Sequence, residues 1–465
     1  MRTYPPDRAT RIEVRWWALP GVVRWPAFIM ASVLILFARS PGTLLGAEFR
    51  YEDGRTFFLG TYFGSPLEVI FHPYAGYLQL VPRLVAYGER MVPIAWAPLV
   101  ANFASLLIIA AVAAFIASDR LAQVLPHRGF RWLLAAVLLL LPAEQEIIGT
   151  IANTIWWLGL FLVCVLLAGP ARSRLEAIMT RTFLVLASLS GPFSLLLSPL
   201  FVLRAVRERS RDATWSAACV AVPGLLQLVA LAKTASERPT PLGAYSPGDL
   251  LGAFLSRVIT EPILGARVTY LFEAVAHSIA LYQPSFTWAI VALAVAGSIA
   301  MGVMLVVLFR AFSKHVSRWT MLVVAYTVVT VPALGVFVNP FRSLIVSPFL
   351  AQRYFFFTGF AVATIILGGI SSLPKSRRLL KDAAFILLVI GIVCDFPLSE
   401  HPKYDWPATS ACIGGPAPCV VPVFSVPDWS IRWPGSGAGG VYDQNPQWPP
   451  SWYTNSPANS PSPFP

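Results

Sequence analysis

Two adjacent carboxylates, Glu52 and Asp53, stand in the stretch FRYEDGRTFF (49–58), between Arg50 and Arg55 and just before Phe57 and Phe58. A carboxyl group drawn out of water has a raised pKa, which suits it to general-base work. The same pair also reads as an Asp-Gly turn, for which that dipeptide is a strong signal. HPYAGYLQLVPR (72–83) supplies His72, Tyr74, Tyr77 and Arg83. Arg83 can grip a phosphate through parallel N–H bonds and His72 can donate to one, which makes a headgroup site. The composition equally fits an interfacial helix held by tyrosine anchors. PAEQEIIGTIANTIWW (142–157) carries Glu144 and Glu146, whose oxygens could ligate a divalent cation or simply solvate a turn. In that stretch Asn153 reads as a helix N-cap, and Trp156 and Trp157 read as anchors at the membrane interface. SPFLAQRYFFF (347–357) offers Arg353 and Tyr354 as contacts for a lipid phosphate, or as an arginine snorkelling to the interface.

The elements that must hold these groups are apolar helices. The 465-residue chain is 56% hydrophobic and only 12% charged, against about a quarter charged in soluble domains. Apolar runs of bilayer-spanning length recur, such as WAPLVANFASLLIIAAVAAFIA (96–117) and WAIVALAVAGSIAMGVMLVVLF (288–309). Backbone inside lipid must satisfy its own hydrogen bonds, so these runs are helices, and the fold class is an all-α polytopic membrane protein. The net charge of +12 does not point to nucleic acid. Of 35 Lys and Arg, 22 lie in six short segments between apolar runs, at 1–24, 120–131, 172–181, 204–211, 310–318 and 375–381. Such segments mark cytoplasmic loops.

Placing those loops inside gives about eleven transmembrane passes, N-terminus inside and C-terminus outside. The expected helices cover about 22–38, 92–117, 131–142, 153–169, 214–232, 286–310, 319–338, 353–371 and 383–396. Residues 182–203 contain Ser190-Gly191-Pro192, which breaks a helix. They are therefore expected as a hairpin of two short arms rather than one span, so that the basic stretch RAVRERSR stays inside. Long external loops are expected at 39–91 and 233–285, the first lying along the outer leaflet. The residues before the first apolar run lack the features of a cleaved signal peptide.

The division is thus a membrane domain over 1–396 and an external tail over 397–465. The tail holds 15 Pro in 69 residues and reads as an irregular appendage without an apolar core, its end disordered. Outside the cytoplasm, Cys412 and Cys419 are expected to form a local disulfide. Cys164, Cys219 and Cys394 lie in apolar runs, where cysteine behaves as a small hydrophobe. The sequence shows no Walker loop, dinucleotide fingerprint, HExxH or GxSxG, so any energy comes from an activated substrate or a gradient.

The layout, with YEDG after the first helix, HPYAGYLQLVPR, PAEQE and broken helices in mid-chain, resembles the GT-C superfamily of integral-membrane glycosyltransferases. The resemblance implies a polyprenyl-phosphate-linked sugar donor, a lipid or cell-surface glycan acceptor, and a site facing out of the inner (plasma) membrane. It maps the family's catalytic base to Asp53 or Glu52 and a metal-assisting acidic loop to Glu144 and Glu146, with a divalent cation as the only cofactor in question. The tail departs from the family's oligosaccharyltransferases, which carry a large folded C-terminal domain, and this favours the smaller transferases. The other readings are a transporter or flippase, or a polymerase, of a lipid-linked glycan. A flippase calls for charged groups near the bilayer midplane, and the spans here are nearly free of charge.

Overall fold

A computed structural model describes residues 21–50, 52–142, 146–234, 245–282, 284–338, 351–398, 404–423 and 430–435. The helices, in chain order, are α1 Gly21–Arg39, α2 Pro66–Ile70, α3 Leu80–Glu89, α4 Ala97–Ala117, α5 Arg128–Leu138 and α6 Thr154–Leu167. They continue with α7 Arg174–Ser188, α8 Phe193–Glu208, α9 Arg211–Lys233, α10 Pro247–Ala253, α11 Glu261–Leu264 and α12 Ala266–Tyr282. The last are α13 Pro284–Ser313, α14 Arg318–Val338, α15 Phe356–Ser372, α16 Arg378–Asp395 and α17 Trp406–Thr409. Strands β1 Cys419–Pro422 and β2 Ser430–Trp433 form one antiparallel pair.

Among the described residues, five helices are long and apolar enough to cross a membrane: Ile94–Ala117, Arg211–Lys233, Val291–Ser313, Arg318–Gly335 and Gln352–Ser372. The protein is therefore a mostly helical membrane-embedded chain. Two expected spans are shorter than a crossing helix. The third ends at Leu138, and the fourth is the 14-residue α6. Helix α6 nevertheless forms the centre of the packing, with every residue buried from Thr154 to Leu166. By contrast only 17% of the apolar window of α13 is buried, which leaves Leu293, Ile299, Val303 and Val306 facing outward as lipid-contacting positions.

The break at 189–192 is where the sequence puts it. Helix α7 ends at Ser188, and α8 restarts at Phe193 with the Pro192 carbonyl accepting from Leu195 and Leu196. The arms are longer than the expected 182–203, because the basic residues on either side are helical too. Arg204 is one of them, and its guanidinium donates to the carbonyls of Val165 (2.6 Å) and Ala168 (2.7 Å) at the end of α6. Arg120 does the same to the Gly169 carbonyl at 2.8 Å. Helix ends leave carbonyls unpaired, and these arginines satisfy them. Ion pairs Arg120–Glu176, Arg172–Asp119 and Arg181–Asp212 join the segments 119–131, 172–181 and 204–212 at one end of the bundle.

The tail is more ordered than its composition promises. Trp406, Ile413, Val421, Val423, Ile431 and Trp433 make a small core with Phe49, Phe58, Leu59, Ala97 and Ala101. The expectation of a tail without an apolar core therefore fails. The missing half of that core is supplied by the 49–59 loop, hundreds of positions away. Residues 436–465, and the proline-rich end among them, lie outside the described residues.

Candidate functional site

The segment after α1 folds back on itself in a wide helical turn over Asp53–Phe58. Gly54 is required there, because a Cβ would stand 2.9 Å from the Phe49 Cβ and 3.0 Å from the Ile431 Cδ1. Asp53 is fully buried. Its Oδ1 accepts from the Ala152 N–H (2.8 Å) and the Thr150 hydroxyl (3.1 Å), and its Oδ2 from the Ile151 N–H at 2.9 Å. Burial outweighs these three donors and holds the Asp53 carboxyl up at about 7. Arg50 adds a second stitch, from its Nη1 to the Ile148 carbonyl at 2.9 Å. The loop before α6 is thereby fixed to the acidic turn.

Glu52 faces differently. It keeps partial exposure, and the Tyr74 hydroxyl donates to its Oε1 at 3.5 Å. Burial raises its pKa, opposed by its backbone hydrogen bond, the charge of Arg353 and the Tyr74 bond, while the nearby Glu146 adds to the rise. Arg353 is held in turn by Glu146, whose Oε1 accepts from the Ala351 N–H (2.9 Å) and whose Oε2 accepts from the Arg353 N–H (3.3 Å) and Nη1 (3.4 Å). Ala351 takes φ 54°, a left-handed backbone that a non-glycine residue adopts at a cost and that clusters at functional sites. The Tyr354 ring lies 5.3 Å from the Arg353 guanidinium and 5.1 Å, edge on, from Trp156. Glu52, Tyr74, Glu146, Arg353 and Tyr354 therefore come together from four separate stretches of chain.

The other expected residues fall elsewhere. Arg83 is fully buried behind the turn, its Nη1 donating to the Thr56 carbonyl at 3.2 Å and its guanidinium 5.1 Å from the Phe57 ring. It braces the Asp53 turn. His72 is exposed beyond the end of α2, while Tyr74 and Tyr77 pair through their backbones across a tight turn. Both oxygens of Glu146 are engaged with the 351–353 segment, and Glu144 lies outside the described residues. Among the described residues no three His, Cys, Asp or Glu side chains gather as a metal site would require. Asn153 does not cap its helix through its side chain; that amide donates to the Glu146 carbonyl at 2.8 Å instead. Trp156 and Trp157 are both buried, which corrects their reading as interface anchors. Cys412 and Cys419 form a disulfide.

Two groups escape the sequence reading. Glu89, at the end of α3, is fully buried, and neither carboxylate oxygen has a hydrogen-bond partner among the described residues. Burial, with the charge of Asp53 beside it, raises its pKa well above the ordinary value. Arg257 and Glu261 form a fully buried ion pair at 2.5 Å, with Arg257 4.7 Å from the ring of Phe355. Their i, i+4 spacing was the available signal, but any surface helix shows the same pattern. Compared with known proteins, the chain matches no family model and no curated protein.

Proposed function

We propose that the protein is a glycosyltransferase that moves a sugar from a polyprenyl-phosphate donor to a lipid or cell-surface glycan acceptor on the external face of the plasma membrane. The observation that carries the reading is the division of labour within the acidic pair. Asp53 is sealed and bound by three donors, whereas Glu52 stays partly open beside a tyrosine hydroxyl and an arginine. In this reading Glu52 is the base and Asp53 holds the turn that aims it. Glu52 takes the proton of the acceptor hydroxyl, and the freed oxygen attacks the anomeric carbon in line. The bond from that carbon to the phosphate oxygen breaks, with inversion, and the polyprenyl phosphate leaves. Arg353, fixed by Glu146, meets the charge that develops on the leaving phosphate.

The orientation belongs to the same proposal: about eleven passes, the basic N-terminus inside and the tail outside. Two features support it. The basic segments of 119–131, 172–181 and 204–212 gather at one end of the bundle, and the acidic turn packs against the opposite ends of α4 and α6. The 21 residues of α4 give a helix about 31 Å long, close to the thickness of a bilayer core.

The test is Glu52→Gln in cells that otherwise lack the protein, read by surface glycan analysis. A base contributes about 10²–10⁴ in rate, so transfer falls by at least roughly a hundredfold while the protein accumulates normally in the membrane. Wild-type glycan from Glu52→Gln removes the catalytic role of Glu52.

A further inference from the structure

Two neighbouring tryptophans, both buried, are treated differently by the fold. The Trp157 indole N–H donates to the Ile147 carbonyl at 2.9 Å, and its ring packs on Phe356 with centroids 4.6 Å apart. The Trp156 ring is equally well held, edge-on to Phe193 and to Tyr354, each at 5.1 Å. Its indole N–H, however, has no acceptor among the described residues, although the side chain is only 5% exposed. A buried donor left unpaired is costly, and buried tryptophan N–H groups usually find a partner. The Tyr354 ring that touches Trp156 also lies against the Arg353 guanidinium, 5.3 Å away. The unpaired donor thus stands one ring away from the cation that the transfer reaction needs.

We infer that Trp156 is a ligand-binding residue, its indole N–H donating to a phosphate oxygen of the prenyl-linked ligand that Arg353 attracts. The inference rests on the glycosyltransferase reading above, but it concerns binding and makes no demand on Glu52. An indole is a donor only, so it accepts no proton and takes no part in the bond exchange. It selects for an oxygen acceptor in an apolar slot, which is the junction of a phosphate with its prenyl chain. The rings of Phe193 and Tyr354 supply the apolar walls.

The experiment uses the full chain in detergent, with farnesyl phosphate as probe and farnesol and inorganic phosphate as comparators, read by thermal unfolding. Farnesyl phosphate raises the unfolding midpoint of the wild type, and neither comparator does so at the same concentration. Trp156→Phe requires about tenfold more farnesyl phosphate for the same shift, whereas Trp157→Phe keeps the wild-type concentration dependence whatever its starting midpoint. Benzothienylalanine at position 156 keeps the bicyclic ring and puts sulfur where the N–H stands. It leaves the ligand-free midpoint unchanged and weakens the response as the phenylalanine does. A ligand-free midpoint lowered by this isostere shows that the N–H already has a partner, and overturns the inference. An undiminished response in both position-156 variants overturns it as well, with the function reading intact. A wild type that ignores farnesyl phosphate removes the donor reading and the inference together.

Discussion

At the scale of single residues, the acidic pair shows why adjacent side chains of like chemistry can carry different tasks. Asp53 accepts from residues 97 to 99 positions away, so its burial depends on a loop that no local pattern announces. The sequence therefore offered two candidates for the proposed base and could not choose between them. Arg83 shows a related limit: a guanidinium suited to phosphate is equally suited to a backbone carbonyl and a ring. The raised Asp53 carboxyl has a consequence for stability. The folded state binds this proton more tightly than the unfolded state, so the stabilisation is fully present below the ordinary carboxyl range and is lost as pH rises through about 7. Asp53→Asn removes that titration and turns an amide N–H₂ toward a donor, at a cost of about 1–3 kcal/mol. Thermal unfolding of the two proteins between pH 4 and 8 measures both effects. The gap between wild type and Asp53→Asn is expected to be widest at acid pH and to narrow toward pH 8. A gap independent of pH means that Asp53 keeps an ordinary pKa.

At the scale of elements, the apolar runs and the Gly-Pro break were legible, because each follows from composition or from a residue that cannot continue a helix, whereas the segment expected as a loop at 233–285 carries α10, α11 and the 17-residue α12. Helix limits were less so. Arg174 and Arg204 read as loop residues by charge, yet both lie inside helices, and Arg204 is kept there by the carbonyls at the end of α6. Charge did not mark the secondary structure. The pairing of α7 and α8 makes a topological prediction. If they go up and back, a reporter active only outside the cytoplasm is silent when fused after Arg209 or Arg378, and active when fused after Gly88 or Pro407. Activity after Arg209 turns α7 and α8 into a single crossing and reverses the sides of the helices that follow. Measuring the four fusions in the same cells keeps expression differences from imitating the result.

At the scale of the whole molecule, the site is held between two parts that are distant in sequence. From one side, the loop before α6 fixes Asp53. From the other, the tail sets Ile431 against Gly54, stacks Trp406 edge-on to Phe49 with centroids 4.9 Å apart, and joins the Tyr404 N–H to Glu48. The Trp406 indole donates to the Ile94 carbonyl at 2.8 Å, which ties the tail to the start of the apolar helix Ile94–Ala117. This partnership was invisible in the sequence because each half, taken alone, is too small to show a core. The disulfide closes the short stretch 412–419 that leads into β1, and Trp433 on β2 donates to the Gly415 carbonyl within it at 2.8 Å. Opening so short a loop costs about 2 kcal/mol of local stability on the chain-entropy view. In the Cys412→Ser/Cys419→Ser double variant, amides of residues 49–62 are therefore expected to exchange with solvent tenfold or more faster, while amides of α4 and α6 keep their protection. Hydrogen exchange read by mass spectrometry follows both sets of peptides at once. Faster exchange confined to 404–423 makes the tail a passenger, whereas faster exchange that reaches Asp53 makes it one jaw of the clamp around the acidic turn.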